Sequence, residues 1–473
     1  MTKSKNILWI MVDQMRADCL GMMGNSAVQT PNLDALAHRG VAFENVFAQF
    51  PICTPSRASI FTGRYVHSHG AWCNGVPISR EAILLPEYLR DCGFDTSIIG
   101  KLHLFPQESD HGFNYRELHE EHLDDSLSGY VDFLNRNGQK GGLPGNQTDW
   151  QNKPIGICTM DEPYEETRWV ANRARNWMRE IRKENQPFFL YSSFLRPHSP
   201  YNPLERFARM YDDTKIDPPA FDSEEWDRIP PRHRMYAESK DFNHTSEEWT
   251  QLRLHYYALC TQVDESVGAL LQALEDTGLA EDTLVLFTSD HGDYVGDHGL
   301  YGKGHPWDSA IHVPLIVYDP TDPGNGVRYP GLVESIDILP SVLDLVGLDI
   351  PQAVQGKSFM PAVRGEVEEH RSAVFSETVT HTNAQDVGPL FSVCPERHLI
   401  TIRTKRWKYI HYVDEPGELY DLDSDPGERR NLIGLPEMTD TIATLRNRIL
   451  DWTVQSSGFS APDINNSYLN NYF

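Results

Sequence analysis

A stretch of twelve residues near the start of the chain combines a cysteine with two arginines and with residues typical of helix ends. It reads Cys53-Thr54-Pro55-Ser56-Arg57-Ala58-Ser59-Ile60-Phe61-Thr62-Gly63-Arg64. Pro55 suits the first turn of a helix, and Gly63 can end that helix. Cys53 is therefore predicted at a helix N-terminus with Arg57 one turn on, where a thiolate nucleophile is stabilised. The alternative for an isolated cysteine is a buried structural residue ahead of a surface helix.

Polar side chains follow several apolar runs of strand length. The runs are Ile7–Val12, Thr96–Ile99, Phe188–Phe194, Thr283–Thr288 and Val313–Tyr318. The polar residues that follow the first four runs, with one lysine a little beyond, are Asp13, Gln14, Lys101, His103, Arg196, His198, Asp290, His291 and Lys303. In open α/β sheets ligands bind beyond the carboxyl ends of the strands. We therefore expect these residues to form one shared site.

Four of these residues form a plausible set of metal ligands. Asp13, Gln14 and Asp290 supply oxygen donors, and His291 supplies one imidazole. Oxygen-dominated ligation suits calcium or magnesium, while the imidazole also admits manganese or zinc. Taken singly, each pair is a weak signal, because a strand-end aspartate often caps the following helix.

The cysteine-containing stretch resembles the motif of the type I sulfatases in the alkaline phosphatase superfamily, Cys-x-Pro-Ser-Arg followed by Thr-Gly-Arg. Lys101-Leu102-His103, Asp290-His291-Gly292 and Lys303 also match that family. The match is looser at His198 and at Glu418–Leu422 in the C-terminal part. The resemblance extends over most of the chain.

The resemblance implies a modified nucleophile and one bound metal ion. In that family a maturation enzyme oxidises the cysteine, here Cys53, to formylglycine, and the hydrate of this aldehyde is the nucleophile. The implied metal ligands are Asp13, Gln14, Asp290, His291 and the modified Cys53. The implied ion is one divalent cation, calcium first and manganese or magnesium next.

The resemblance also implies catalytic and substrate-binding roles. Arg57 would hold the modified residue, and Lys101, Lys303 and His198 would bind the sulfate oxygens. His198 or Lys303 would protonate the departing alcohol, and His103 would take the proton from the remaining hydroxyl. Asn74 lies where several members have an asparagine beside the site.

The match departs from the family at two positions. Many sulfatases have aspartate where this chain has Gln14 and asparagine where it has His291. The pair found here is the pattern of phosphonate monoester hydrolases on the same scaffold, whereas Lys101 with His103 favours sulfate esters. We expect hydrolysis of an aryl or carbohydrate sulfate ester, with phosphonate monoester or phosphodiester hydrolysis as the alternative enzyme.

A function without catalysis is the remaining alternative. The chain could be a metal-containing binder of sulfated ligands in which Cys53 is never matured. A complete set of transfer and acid–base residues argues against it, because a binder has no need for His103.

Composition restricts the partners. The chain has 42 Lys and Arg against 68 Asp and Glu, a net charge of −26. This charge repels nucleic acids and anionic membranes, so an anionic substrate must be captured by local cations.

The seven cysteines are an odd number without pairing rhythm, which favours reduced thiols. The run Ile7–Val12 is too short for a signal-peptide core and no run is long enough to span a membrane, so we expect a cytoplasmic protein.

Strand-length apolar runs that alternate with helical patterns predict an α/β domain around a mostly parallel sheet between helices. We place this alkaline-phosphatase-like domain at residues 1–369 and a smaller antiparallel sheet with a covering helix at 370–455. Helices are predicted from Thr30-Pro31 to Gly40, from about Glu165, from the capping box of Thr245 with Glu248 to Gly278, and from about Pro436 to Val454.

Two further segments are predicted to lie outside these elements. Residues 107–163 are expected to be loop insertions over the sheet edge. Residues 456–473 are expected to be a tail, either frayed or an arm for self-association through Tyr468, Tyr472 and Phe473.

Overall fold

Two β-sheets organise the chain in a computed structural model that describes residues 6–79, 81–121, 123–139, 154–219, 245–322, 324, 326–380, 397–413 and 415–457. The strands are β1 Asn6–Asp13, β2 Val41–Phe47, β3 Asp95–Gly100, β4 Tyr115–Leu118, β5 Phe188–Pro197, β6 Thr283–Ser289, β7 His312–Tyr318, β8 Val327–Glu334, β9 Val374–Thr380, β10 Arg397–Arg403, β11 Trp407–His411 and β12 Glu418–Asp421.

The α-helices are α1 Pro31–Arg39, α2 Cys53–Thr62, α3 Val66–His69, α4 Leu85–Asp91, α5 Gly129–Arg136, α6 Glu166–Asn176, α7 Glu205–Arg209, α8 Ser246–Asp276, α9 Asp308–Ile311, α10 Ile338–Val346, α11 Met360–Val363 and α12 Thr439–Ser456. A π-helical turn, Trp177–Ile181, continues α6. Short 3₁₀ segments lie at Gly21–Met23, Asp125–Leu127, Glu162–Tyr164, Ala280–Asp282, Asp297–Gly299, Ser335–Asp337 and Pro436–Met438.

The large sheet has eight strands in the order β4-β3-β5-β1-β6-β7-β2-β8. Only β7 runs antiparallel to its neighbours β6 and β2, so the predicted, mostly parallel sheet is confirmed. β1 lies between β5 and β6, with Ile7 opposite Phe189 on one side and Leu284 on the other. The five apolar runs recognised in the sequence are all strands of this sheet.

Burial on both faces explains why β1 reads as a continuous apolar run. Leu8, Ile10 and Val12 join one apolar core, whereas Ile7, Trp9 and Met11 join the other. The first core lies under α1, α6 and α8, and the second lies under α2, α4 and α10. The sheet is therefore the middle of three layers.

The predicted helix ends of α1 and α8 are present in the structure. Pro31 opens α1. The side chain of Thr245 accepts from the Glu248 amide at 3.2 Å, and Glu248 accepts from the Thr245 amide at 2.9 Å, which is a capping box. Gly278 follows α8 with φ 68°, a conformation that favours glycine.

The small sheet is antiparallel, in the order β12-β11-β10-β9. Helix α12 covers it by packing Leu445, Ile449 and Trp452 against residues such as Phe375 and Tyr409. The predicted C-terminal antiparallel sheet with a helix is thus confirmed. The domain limits at 369 and 455 stay predictions.

The expectation of loops alone over residues 107–163 was wrong. β4 forms the edge of the large sheet, and α5 lies between β4 and α6. β4 has only four residues, and Arg116 and Glu117 at its centre are polar and half-buried, so it lacks the apolar run of a central strand.

The tail predicted at 456–473 lies outside the described residues except for Ser456 and Ser457.

Among the described helices, none combines the length and the apolar composition that crossing a bilayer requires. Each of the six cysteines in the described part of the chain is a free thiol.

Candidate active site

The carboxyl ends of four adjacent strands, β3, β5, β1 and β6, meet at one edge of the large sheet. Asp13 is the last residue of β1, and Asp290 follows β6. Lys101 follows β3, and His198 follows β5. The structure therefore brings the strand-end residues together, as their spacing predicts.

Cys53 is the first residue of α2 and is 1% exposed. Its Sγ lies 3.2 Å from His291 Nε2, 3.2 Å from Lys303 Nζ and 3.8 Å from Lys101 Nζ. Burial and then Asp13 raise the pKa of the thiol, but the positive charges of Lys101, Lys303 and His291 outweigh them and hold it well below its usual range. The surroundings of the sulfur therefore stabilise a negatively charged atom at that position.

Four side chains could hold a metal ion. Asp13, Cys53, Asp290 and His291 each offer one ligand atom, these atoms lie within 4.8 Å of one another, and all four residues are buried. His291 Nδ1 lies 3.0 Å from the Gly292 carbonyl, so this nitrogen carries the proton. In the neutral ring Nε2 is then the nitrogen with a lone pair, and it faces Cys53, as a metal ligand must.

Arg57 braces the two carboxylates of this group. Its Nε donates to Asp290 Oδ2 at 2.8 Å, and Nη2 donates to Asp13 Oδ2 at 3.4 Å. Nη1 donates to the Lys101 carbonyl at 2.8 Å. Arg57 is fully buried, which lowers its pKa, but Asp290, Tyr191 and Asp13 together raise the pKa by more, so the guanidinium stays charged. Arg57 makes no described hydrogen bond to Cys53, so its charge acts on the sulfur through space.

Two lysines approach Cys53 from different elements. Lys101 Nζ lies 2.5 Å from Asp13 Oδ2, and Lys303 Nζ donates to Gln14 Oε1 at 2.6 Å. Burial raises the pKa of Asp13, but Lys101 and then Lys303 overcome this and hold it well below its usual range. Burial lowers the pKa of Lys101, but the negative charges of Asp13, Cys53 and Glu121 together more than reverse this. Both ends of the pair are therefore ionised at neutral pH.

The amide of Gln14 is held in one orientation. Its Nε2 donates to Asp293, so its Oε1 faces Lys303. Asp293 is fully buried and also accepts from Tyr201 Oη at 2.6 Å and from the amides of Val295 and Gly302 at 2.9 Å. Asp293 was not identified from the sequence as a site residue. Its position three residues after Asp290 is the feature that could have indicated it.

Asn74 and His103 flank the first turn of α2. Asn74 Oδ1 accepts from the Thr54 amide at 3.0 Å, so it caps a helix whose own N-cap residue, Ile52, has no capping oxygen. The carbonyl of His103 accepts from Thr54 Oγ1 at 2.9 Å. The His103 ring is buried, and within the described part of the chain its Nδ1 makes no hydrogen bond.

His198 lies at the margin of the site and is 18% exposed at its side chain. Its Nδ1 is 3.0 Å from Glu121 Oε1 and 2.7 Å from the Ser199 carbonyl. Glu121 Oε2 in turn accepts from Lys101 Nζ at 2.6 Å. Burial raises the pKa of Glu121, but His198 and Lys101 more than compensate, so its pKa lies well below the usual range.

Glu120 and Glu121 were both missed in the sequence. Glu120 accepts from the amides of Leu102, at 2.9 Å, and His103, at 2.5 Å, and so fixes the loop that carries Lys101. The two glutamates follow β4 closely, at the same sheet edge as the other strand-end residues. If β4 had been predicted as a strand, Glu120 and Glu121 would have been expected at the site, because polar residues that follow the parallel strands meet at one sheet edge.

The chain matches known proteins over nearly its whole length. Residues 5–348 match the family described as Sulfatase, and residues 296–455 match the family described as N-sulphoglucosamine sulphohydrolase, C-terminal. An arylsulfatase of Clostridium perfringens is 32% identical over 94% of this chain and 93% of its own. A choline-sulfatase of Rhizobium meliloti is 30% identical over 94% of this chain and 85% of its own.

Solved structures share the fold as well. The phosphonate monoester hydrolase of Agrobacterium radiobacter superposes with a TM-score of 0.82 at 29% identity, and the match covers 96% of each chain.

Proposed function

The chain belongs to the sulfatase family of the alkaline phosphatase superfamily, and we propose that it hydrolyses an aryl or carbohydrate sulfate ester to the alcohol and inorganic sulfate. One observation carries this proposal. Two lysines and a histidine converge on the sulfur of Cys53, at the sheet edge where strand-end ligands bind. Such a pocket suits a nucleophile that attacks an anionic ester.

We propose that Cys53 is converted to formylglycine by a maturation enzyme. Its sulfur then marks the place of the nucleophilic oxygen. Cys53 opens α2 within the matching motif, and its surroundings favour an anion at that atom. Arg57, one turn along the helix, fixes the carboxylates on either side.

The donor set fits one hard divalent cation, with calcium our first choice and manganese or magnesium next. Asp13, Asp290 and His291 would hold it together with residue 53, and Gln14 would contribute its amide oxygen. When bound, such an ion lowers the pKa of a coordinated hydroxyl and neutralises charge on an ester oxygen. His291 Nε2 and the two carboxylates already point towards one another, as this role requires.

The remaining residues of the site bind charge and move protons. Lys101 and Lys303 would neutralise the non-bridging oxygens of the substrate, which matches their approach to the Cys53 sulfur. His198, at the margin of the site, would protonate the departing alcohol. His103, beside Thr54, would accept the proton whose removal releases sulfate.

Hydrolysis of phosphonate monoesters is the second candidate. Gln14 and His291 stand where many sulfatases have other residues, and the fold superposes on a phosphonate monoester hydrolase over almost its whole length. Lys101 and His103 favour the sulfate ester because they serve proton transfer, whereas Gln14 and His291 alter only the ligand field of the metal.

Kinetics with three nitrophenyl substrates test the choice. We expect kcat/KM for 4-nitrophenyl sulfate to exceed that for the matching phenylphosphonate and the bis-aryl phosphate by at least about tenfold, roughly 1.4 kcal/mol of transition-state preference. If the phosphonate or the diester is the best substrate, the second candidate replaces the first.

A further inference from the structure

Glu121 connects two cationic groups that the proposed reaction uses separately. Its Oε2 accepts from Lys101 Nζ at 2.6 Å, and its Oε1 lies 3.0 Å from His198 Nδ1. Its side chain is 22% exposed, but Oε1 itself is buried. Lys101 also contacts Asp13, which places Glu121 two contacts away from the candidate metal site.

The surroundings of His198 Nδ1 determine which ring nitrogen can donate to a substrate. Nδ1 hydrogen-bonds to the Ser199 carbonyl at 2.7 Å, and since a carbonyl only accepts, Nδ1 carries a hydrogen in either protonation state of the ring. Glu121 Oε1 approaches the same nitrogen at 3.0 Å without a hydrogen bond of its own. A proton given to a leaving group must therefore come from Nε2.

We propose that Glu121 is a positioning residue that holds His198 in the orientation needed to protonate the leaving alcohol, while it holds Lys101 against the Cys53 pocket. This inference rests on the proposed hydrolysis, and it adds a residue that the family motifs in this chain do not contain. The carboxylate places one oxygen against Lys101 Nζ and the other against His198 Nδ1, so it presents negative charge to both basic side chains.

Glu121→Gln tests the proposal with little change of shape. Glutamine keeps one oxygen and replaces the other with an NH2 group, which is a donor. Either Lys101 Nζ or His198 Nδ1 then faces another hydrogen-bond donor in place of an oxygen. We expect kcat/KM to fall with both phenyl sulfate and 4-nitrophenyl sulfate. The fall with phenyl sulfate should be at least about tenfold larger, because its poorer leaving group depends more on the proton.

Two further variants make the result interpretable. Glu117→Gln changes a carboxylate of the neighbouring strand that pairs with Arg173, and it should leave the ratio of the two substrates unchanged. In a His198→Asn background, Glu121→Gln should no longer alter that ratio, because the group it positions is absent. Should Glu121→Gln not fold, Glu121→Asp keeps the charge but draws the carboxylate back by one carbon and gives the same comparison.

Two results would overturn the proposal. An equal loss with both substrates would mean that Glu121 contributes charge or structure alone. A gain in kcat/KM would mean that its carboxylate competes with the substrate for Lys101 and His198. If the wild-type enzyme hydrolyses neither sulfate, the proposed function fails first, and the same pair of leaving groups on phenylphosphonate esters then tests Glu121.

Discussion

The protein buries two clusters of charged side chains, and they are built differently. At the edge of the large sheet, Arg57, Lys101 and Lys303 surround Asp13 and Asp290, and both lysines also approach the sulfur of Cys53. The second cluster, which we call the Lys408 cluster, joins α9 to the small sheet and consists of Asp308, Arg403, Lys408 and Glu428.

In the Lys408 cluster each charge faces one of opposite sign. Lys408 Nζ lies 2.7 Å from Asp308 Oδ1 and 2.6 Å from Glu428 Oε1. In the cluster at the edge of the large sheet the charges also pair, but Lys101 and Lys303 both approach the Cys53 sulfur as well. Burial of charge therefore does not by itself indicate a catalytic site. Convergence on a nucleophilic atom does, and the following predictions test that distinction.

Cys53→Ala should have the largest effect on activity. The fold should persist, but kcat/KM with 4-nitrophenyl sulfate should fall by at least about 10³-fold, because the proposed nucleophile is gone. The exposed Cys92→Ala is the matched control and should keep full activity. Mass spectrometry of the wild-type peptide should show a hydrazide-reactive aldehyde at residue 53. A fully thiol peptide from an active preparation would contradict the mechanism.

Asp290→Asn should remove the metal, and Asp308→Asn in the Lys408 cluster should not. Since changes to partners of metal ligands already weaken binding about 10–100-fold, loss of a direct carboxylate donor should exceed that. Elemental analysis of protein purified without a chelating tag should give one divalent ion per chain for the wild type and for Asp308→Asn. Two tightly bound zinc ions per wild-type chain would refute the assignment.

Lys101→Met and Lys408→Met compare the two clusters directly. Both remove a buried cation that lies between two carboxylates, so both should lower the free energy of unfolding by about 3–5 kcal/mol. Only Lys101→Met should also lower kcat/KM, by about 10²–10³-fold, because Lys101 Nζ faces the Cys53 sulfur, the position of the proposed nucleophile. Denaturation and kinetics on the same preparations check this, and an equal kinetic loss in both variants would erase the distinction.

The smallest effect concerns pH. The pKa of Glu428 is raised to about 8. Burial is the main cause, Lys408 opposes the rise, and Asp308 reinforces it. A carboxyl whose pKa is raised by folding binds its proton more tightly in the native state. Its contribution is therefore complete below the ordinary pKa of 4.5 and is lost as the pH rises through about 8.

Glu428→Gln should remove this part of the pH dependence, because the amide resembles the protonated acid. The loss of Tm between about pH 5.5 and about pH 8.5 should be smaller in the variant than in the wild type, by a few degrees. Other groups that titrate in this range, such as Glu334 with a pKa raised to about 7, are present in both proteins and cancel. Parallel curves would show that Glu428 does not carry the effect.

Much of the site followed from local patterns. Continuous apolar runs marked the central strands because a parallel sheet between two helical layers is buried on both faces. Polar residues directly after those runs had to meet at one edge, and Asp13, Lys101, His198 and Asp290 do. The helix boundary at Cys53 followed from Pro55 and Gly63 for equally local reasons.

The residues that sequence reasoning missed act through contacts between distant segments. Glu121 reaches Lys101 and His198 from the segment just after β4, an edge strand too short and too polar to show the pattern of a buried one. Asp293 acts on Gln14 from a different strand end, and its place three residues after Asp290 does not by itself show that its side chain turns inward.

The sequence by itself determined the sheet, the position of Cys53 at a helix start and the chemical types at the strand ends, because periodicity and helix-end preferences are properties of neighbouring residues. Only the tertiary structure decided that Arg57 contacts the carboxylates, that Asn74 caps α2 and that Lys101 is shared between Asp13 and Glu121. These are pairings of buried polar groups. Which donor meets which acceptor depends on how the layers pack, since desolvation makes each group take whichever partner the fold places within reach.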